Sequence, residues 1–121
     1  MKIENNLTAE AITIPSGAAV PAAGNAIDMR QFLVGMVETP SAWTSASMGF
    51  KGSQTKDGTF VPLRNEAGSL IEITGIVTNA AGRYRLPMEL ASCHFVIPWS
   101  ESSGSDANQA ADRALIFHLK G

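Results

Sequence analysis

The one cysteine and the two histidines of the sequence, Cys93, His94 and His118, could act as a nucleophile, a base or a metal ligand. Cys93 and His94 are adjacent in an alternating stretch. As strand neighbours they would face opposite sides of a sheet, so they could not meet as a nucleophile and its base. A metal site would need a third ligand, and no His, Asp or Glu has the spacing to supply one. The sequence therefore predicts no enzyme, no metal site and no cofactor.

The two tryptophans could do a different kind of chemistry, the stacking of an aromatic ring on a sugar. Trp43 and Trp99 each stand close to a proline at the end of an apolar run. An exposed tryptophan beside a loop could bind a glycan, whereas a buried one would plug the end of a β-sandwich. We favour the plug and keep glycan stacking as the alternative.

The elements that position these side chains are predicted to be short strands. Eleven glycines and six prolines divide the chain into runs in which apolar and polar residues alternate. Turn signals recur about every 8–12 residues, which is typical of an all-β protein, an antiparallel β-sandwich or small barrel of about eight strands. The predicted core comprises Met48, Phe50, Ile71, Ile73, Tyr84, Phe95, Ile97, Leu115, Phe117 and Leu119.

One stretch breaks the alternation, because residues 27–38 (IDMRQFLVGMVE) are apolar on both faces. A strand of this kind is covered on both sides, and in a small domain the second cover can come from another chain. This interpretation makes Phe32, Val34 and Met36 candidate contact residues, with apolar burial and backbone pairing along residues 32–37. A central strand between the core and a loop is the open alternative.

The N-terminal part of the chain lacks a hydrophobic pattern. Residues 1–10 are predicted to form an extended arm, and residues 11–121 a single β-sandwich domain. The segment 15–26 (PSGAAVPAAGNA) is small and apolar, so it could lie on a neighbouring subunit and make Val20 and Pro21 contact residues. A plain tail and a plain loop are the alternatives to these two interpretations.

The overall composition excludes several classes of partner. Nine Lys and Arg stand against eleven Asp and Glu among 121 residues, with a net charge of −2 and no basic stripe. We therefore expect no binding to nucleic acid. No apolar run approaches the length of a membrane helix, and the first residues lack the apolar stretch of a signal peptide, so we expect no membrane association.

The order of several motifs resembles a known group of proteins. These motifs are FLVGMVETPSAWTSASMGFKGSQTKDGTFVPLRNEAGSLIEI and, later, NQAADRALIFHL, within residues 32–121. They resemble small β-rich structural proteins of tailed bacteriophages, of the capsid decoration or cement type. The resemblance implies a jelly roll, a homo-oligomer (dimer or trimer) and the major capsid protein as a partner. It also implies synthesis in the host cytoplasm and a place on the capsid surface, and it supplies no catalytic residues.

A second function is compatible with the same sequence. The chain could be a carbohydrate-binding or receptor-binding β-sandwich module of a phage tail or fibre. Trp43 or Trp99 would then be the stacking platform. The two functions differ in what they require of the tryptophans, because the module needs an exposed ring and the decoration protein does not.

Overall fold

The computed structural model describes residues 7–121, and its regular elements are ten strands and one turn of 3-10 helix at Met88–Ser92. Most strands are short, as the spacing of glycine and proline predicts. The strands are β1 (Leu7–Ile14), β2 (Ile27–Asp28), β3 (Val34–Thr39), β4 (Ser47–Ser53), β5 (Val61–Pro62), β6 (Glu72–Ile73), β7 (Gly82–Arg85), β8 (Phe95–Ser102), β9 (Ser105–Asp106) and β10 (Arg113–Lys120).

The strands form two antiparallel sheets. Sheet I has the order β1-β10-β3-β7, and sheet II has the order β2-β8-β4-β5, with β6 paired to β4 and β9 paired to β8. The chain passes back and forth between the sheets, since β1, β3, β7 and β10 lie in sheet I and the strands between them lie in sheet II. This is the connectivity of a jelly roll, two Greek keys in two sheets. The predicted all-β, jelly-roll-like sandwich is confirmed.

The central strand β10 shows why the sheets pack together. Leu115, Phe117 and Leu119 are at most 1% exposed, whereas Ile116 and His118 between them are half-buried on the other face. Full burial of each such apolar side chain stabilises the fold by roughly 1.5–3 kcal/mol. Of the other residues predicted for the core, Met48, Phe50 and Ile71 are buried, and Ile73 and Tyr84 are half-buried and pack against it.

The prediction for β8 was wrong by one residue. Val96 lies in the core, and Phe95 and Ile97 point to the outer side of sheet II, where they are half-buried. The pairing with β4 fixes this register, because Pro98 stands opposite Phe50, which faces the core, and opposed residues share a face. Both faces of β8 are apolar, so alternation alone could not decide which face is inward.

The arm predicted for residues 1–10 overlaps a strand. Residues 7–10 belong to β1, and each of them pairs with a residue of β10. Residues 1–6, the remainder of the predicted arm, lie outside the described residues. None of the described residues forms a helix long and apolar enough to cross a membrane.

The small-residue segment 15–26 is hydrogen-bonded to its own domain, and its contact with a neighbouring subunit stays a prediction. Ala19 is buried, and its carbonyl oxygen accepts a hydrogen bond of 2.8 Å from the amide of Ser100. The carbonyl oxygen of Ala18 accepts a bond of 2.9 Å from the amide of Gln109. These bonds use backbone groups that an extended contact with another chain would need.

Candidate functional site

The outer face of sheet I carries exposed apolar side chains in the middle of a paired sheet. On β3, Val37 is buried in the core, while Val34 and Met36 point outward and are 51% and 39% exposed. Leu33, just before β3, is 67% exposed. Apolar side chains grouped in this way on a surface mark a contact site more often than single ones do.

The strand register arranges this face in transverse rows. Opposed residues of neighbouring strands share a face, and adjacent strands lie about 4.8 Å apart, so members of a row are in contact distance. The first row is Leu7, Lys120 and Val34, and the second is Ala9, His118, Met36 and Arg85. Apolar residues of β1 and β3 therefore alternate with a basic or ionisable residue of β10.

A groove of about 560 Å³ runs along β3 on this face. Its lining combines an apolar floor with cationic side chains at the border, and none of its described lining residues is acidic. The apolar members are Leu33, Val34, Met36, Leu86 and Met88, and the basic or ionisable ones are Arg85, His118 and Lys120. The described lining of this groove lacks the even mixture of acidic and basic residues that the sequence has as a whole. The groove therefore suits a partner that presents an apolar group with a carboxylate beside it.

The nearest acidic residue on this face, Glu38, is already paired. Its Oε1 accepts a hydrogen bond of 2.8 Å from Arg83 Nε and lies 3.3 Å from His118 Nε2. The bond from Arg83, followed by that from His118, lowers the pKa of Glu38. Glu38 is therefore held as a carboxylate between two basic groups, outside the groove.

Of the five residues predicted from sequence to contact a partner, the structure brings two to this surface. Val34 and Met36 lie on it side by side, one row apart. Phe32 is half-buried and packs against the core, Val20 is half-buried, and Pro21 is buried. These three side chains are less accessible than Val34 and Met36, and their contact with a partner stays a prediction.

Backbone pairing through residues 32–37 is also corrected. β3 lies between β10 and β7, so both of its edges are occupied. Beyond the end of β7, the amide of Leu86 donates to the carbonyl oxygen of Gly35 at 2.9 Å. Before the start of β3, the amide of Leu33 donates to the carbonyl oxygen of Lys120 at 3.0 Å. Only the outward side chains of this strand remain free for a partner.

Several lining residues of the groove, among them Met88, Arg85 and Lys120, were not candidates from the sequence. Met88 is 74% exposed because the 3-10 turn places Leu90 inside and Met88 outside. Arg85 and Lys120 reach the groove only through the pairing of β3 with β7 and β10. Period-two alternation predicts that Arg85 and Lys120 point outward. Their position beside β3 depends on the pairing of strands that are far apart in sequence.

The tryptophans do not offer a free ring face. Trp43 is 1% exposed, belongs to the core and donates from Nε1 to the carbonyl oxygen of Ala46 at 3.1 Å. Trp99 is 3% exposed on the outer side of sheet II, where Nε1 donates to Asp106 Oδ1 at 2.8 Å and Lys51 Nζ lies 4.5 Å from the ring centroid. Trp43 is the predicted plug, and the placement of both rings contradicts their use as a glycan platform.

The residues that could do chemistry are dispersed. His118 lies on sheet I, while Cys93 and His94 precede β8 of sheet II. Cys93 is half-buried, and this burial raises the pKa of its thiol. Within residues 7–121, no three His, Cys, Asp or Glu side chains are grouped so that they could hold a metal ion.

Comparison with known proteins reveals a likeness in fold. No protein-family model matches the chain, and no curated protein sequence is similar to it. The structure is similar to the crystal structure of the SPBc2 prophage-derived protein YomS, with a TM-score of 0.55 and 12% sequence identity over 100% of both chains. At this identity the likeness concerns the fold alone, and it extends over the whole jelly roll.

Proposed function

We propose that the protein is a structural protein of a bacteriophage virion, a decoration or cement protein that binds the major capsid protein at the capsid surface. The observation that carries the proposal is the exposed apolar pair Val34 and Met36 in a groove with a basic border. The full-length likeness in fold to a prophage-derived protein supports the phage context. In this role the chain is made in the host cytoplasm, has no catalytic activity and stabilises the phage head by protein–protein contacts.

The groove defines what the partner must present. Its floor suits one or two apolar side chains, and Arg85 and Lys120 at its border suit neighbouring carboxylates. Apolar burial contributes roughly 25 cal/mol per Å², so one groove gives a modest affinity. Repetition of the contact over a capsid lattice, or within an oligomer, raises the overall affinity without any new kind of contact.

Cosedimentation with capsids tests this proposal. Purified protein is added to capsids of the phage that encodes it, prepared without the protein, and the bound fraction is measured against concentration. We expect saturable binding and a higher temperature of capsid disruption. Raising the salt concentration to about 0.5 M should release little protein, because screening weakens exposed charge pairs and leaves apolar contacts largely intact.

A glycan array with the isolated protein separates the decoration role from that of a tail or fibre module. Neither Trp43 nor Trp99 presents a ring face, so we expect no glycan binding. Failure to bind capsids, together with specific glycan binding, would replace the decoration role by the module. Release of the bound protein at moderate salt would contradict the apolar nature of the contact.

A further inference from the structure

Within residues 7–121, one long strand edge is open. β1 forms a border of sheet I, and all of its eight residues, Leu7–Ile14, pair with β10 in one unbroken register. Among the described residues, no strand pairs with its other side. The backbone N–H and C=O groups that point away from β10 on that side need water or another strand as a partner.

The other sheet borders in the described part of the chain are blunted. β7 has four residues, with the exposed cations Arg83 and Arg85 among them. The strands β2, β5, β6 and β9 have two residues each, and β5 contains Pro62. Short strands, charges and prolines are the usual protection against edge-to-edge pairing. β1 has no proline, lysine or break in register, and its single charge, on Glu10, is on the inward face of the strand.

We infer that β1 pairs with β1 of a second copy of the chain, antiparallel about a two-fold axis, which joins two four-stranded sheets into one of eight strands. A two-fold contact requires a self-complementary surface, and an antiparallel strand edge is one. The second copy is the occupant that this edge fits. Two outward side chains in the middle of β1, Ala9 and Ala11, are small and leave room for a close neighbour.

Glu10 excludes one register of this pairing. Inward residues must stand opposite inward residues for the joined sheet to keep one core face. An axis at Glu10 would bring two carboxylates together, which is destabilising. An axis at Ala11 instead places Glu10 opposite Ile12 of the second copy and pairs residues 8–14 of the two chains.

The joined sheet would present two grooves on one side. Both outer faces of sheet I point the same way in a continuous sheet, so a dimer would bind a capsid through two grooves at once. This consequence rests on the proposed function, whereas the pairing of β1 does not.

Disulfide trapping tests the register, in a Cys93→Ser background that removes the native thiol. In Ala11→Cys the two thiols stand opposite each other with Cβ atoms about 4.5–5.5 Å apart, close to disulfide geometry. In Ala9→Cys each thiol stands opposite Thr13, and the two thiols are ~13 Å apart. We expect a covalent dimer from Ala11→Cys only. No dimer from Ala11→Cys, or equal yields from both variants, would overturn the inference.

Sedimentation equilibrium tests the association without any cross-link. Wild-type protein should show twice the monomer mass at high concentration, and Ala11→Lys should weaken the dimer at least ~tenfold, because two ammonium groups meet at the axis. Ala114→Lys adds the same charge to the same face on β10, inside the sheet, and should leave the mass unchanged. A monomeric wild type, or an Ala11→Lys variant that folds and stays dimeric, would overturn the inference. Neither experiment uses capsids, so failure here leaves the proposed function standing.

Discussion

The carboxyl group of Glu101 lies against that of Glu72 on the outer side of sheet II, and Glu101 is fully buried. Both residues flank β4 near Gly49, where a Cβ atom would come within 3.1 Å of Glu101 Cγ, so the glycine leaves the space for this side chain. Glu101 Oε1 accepts a bond of 3.3 Å from the amide of Gly104, and Oε2 is buried without a donor. Burial, followed by the adjacent carboxyl group of Glu72, raises the pKa of Glu101 from 4.5 to about 7.

The raised pKa of Glu101 predicts that the free energy of unfolding depends on pH. Below pH 4.5 Glu101 is protonated in both states, so its titration has no effect on stability. Between pH 4.5 and about 7 the unfolded chain loses this proton and the folded protein keeps it, so stability falls as the pH rises. At roughly 1.4 kcal/mol per pKa unit, the loss is of the order of 3 kcal/mol and levels off above pH 7.

Glu101→Gln should remove this dependence, because glutamine keeps the shape of the side chain and does not ionise. In urea denaturation the variant should be more stable than wild type at pH 8 and equally stable at pH 4. Glu66→Gln, an exposed change in a loop, is the matched control and should follow wild type at both values. Equal stability of Glu101→Gln and wild type at pH 8 would contradict the burial of an ionisable carboxyl here.

A charge in the groove of sheet I should abolish capsid binding without unfolding the domain. Val34→Glu and Met36→Glu each place a carboxylate where an apolar contact is expected, and we predict at least ~tenfold weaker binding in cosedimentation. Both side chains are more than a third exposed, so the melting temperature should change little. Val61→Glu, at a valine that is 54% exposed on sheet II, is the matched control. Normal binding by both groove variants would mean that this face is not the contact surface.

The strands that the sequence predicted well are those with one apolar face. In β10, Leu115, Phe117 and Leu119 form one fully apolar face, while the opposite face includes His118 and Lys120, so the period of the sequence and the burial agree. In β8, Phe95 and Ile97 alternate with Val96 and with a proline, and both faces look alike. Only the pairing with β4, a contact between distant parts of the chain, decides the register.

The candidate site, like the strands, could be predicted from the sequence only in part. The surplus of apolar residues on two faces pointed to Val34 and Met36, because a sandwich strand has only one face toward its own core. The same argument applies less well to Phe32, which lies before β3 and is half-buried, so strand alternation does not set its direction. A segment of small residues such as 15–26 gives no sign in its sequence of which surface it covers.

Phe117→Ala tests the core assignment. Phe117 has no exposed surface and lies on the central strand of sheet I, so the truncation should destabilise the fold by about 3–5 kcal/mol in chemical denaturation. His118→Ala, at the next position on the opposite face, is half-buried and should have a much smaller effect. A change under about 1 kcal/mol for Phe117→Ala would mean that the face assignment of β10 is wrong.

Gln109 should be the most important polar residue for stability. It is 1% exposed, and its Oε1 accepts from the Thr44 amide at 2.9 Å and from Arg113 Nε at 3.1 Å. Its Nε2 donates to the Thr44 carbonyl at 3.2 Å and to Ser100 Oγ at 2.8 Å. Gln109→Ala leaves these groups unpaired, and we expect a loss of about 3 kcal/mol. Asn108→Ala, an exposed neighbour, should change the free energy of unfolding little, and equal effects would contradict this role.

Two N-terminal truncations distinguish the effect of residues 1–6 from that of the strand β1. Removal of residues 1–6 keeps the whole described strand Leu7–Ile14, and we expect the free energy of unfolding to stay nearly unchanged. Removal of residues 1–10 deletes half of β1 and uncovers the inward side of β10 near Phe117 and Leu119, so it should destabilise the fold by about 2 kcal/mol or more. Urea denaturation of the two truncated chains measures both effects.

Capsid binding by the same two chains then tests the arm itself. If residues 1–6 contact a neighbouring subunit, the shorter truncation weakens cosedimentation while the fold is intact. The Val34→Glu variant is the reference for a binding defect in a folded domain. Unchanged capsid affinity after removal of residues 1–6 would make that segment a tail with no part in assembly, and a stable domain after removal of residues 1–10 would contradict the contribution of β1 to sheet I.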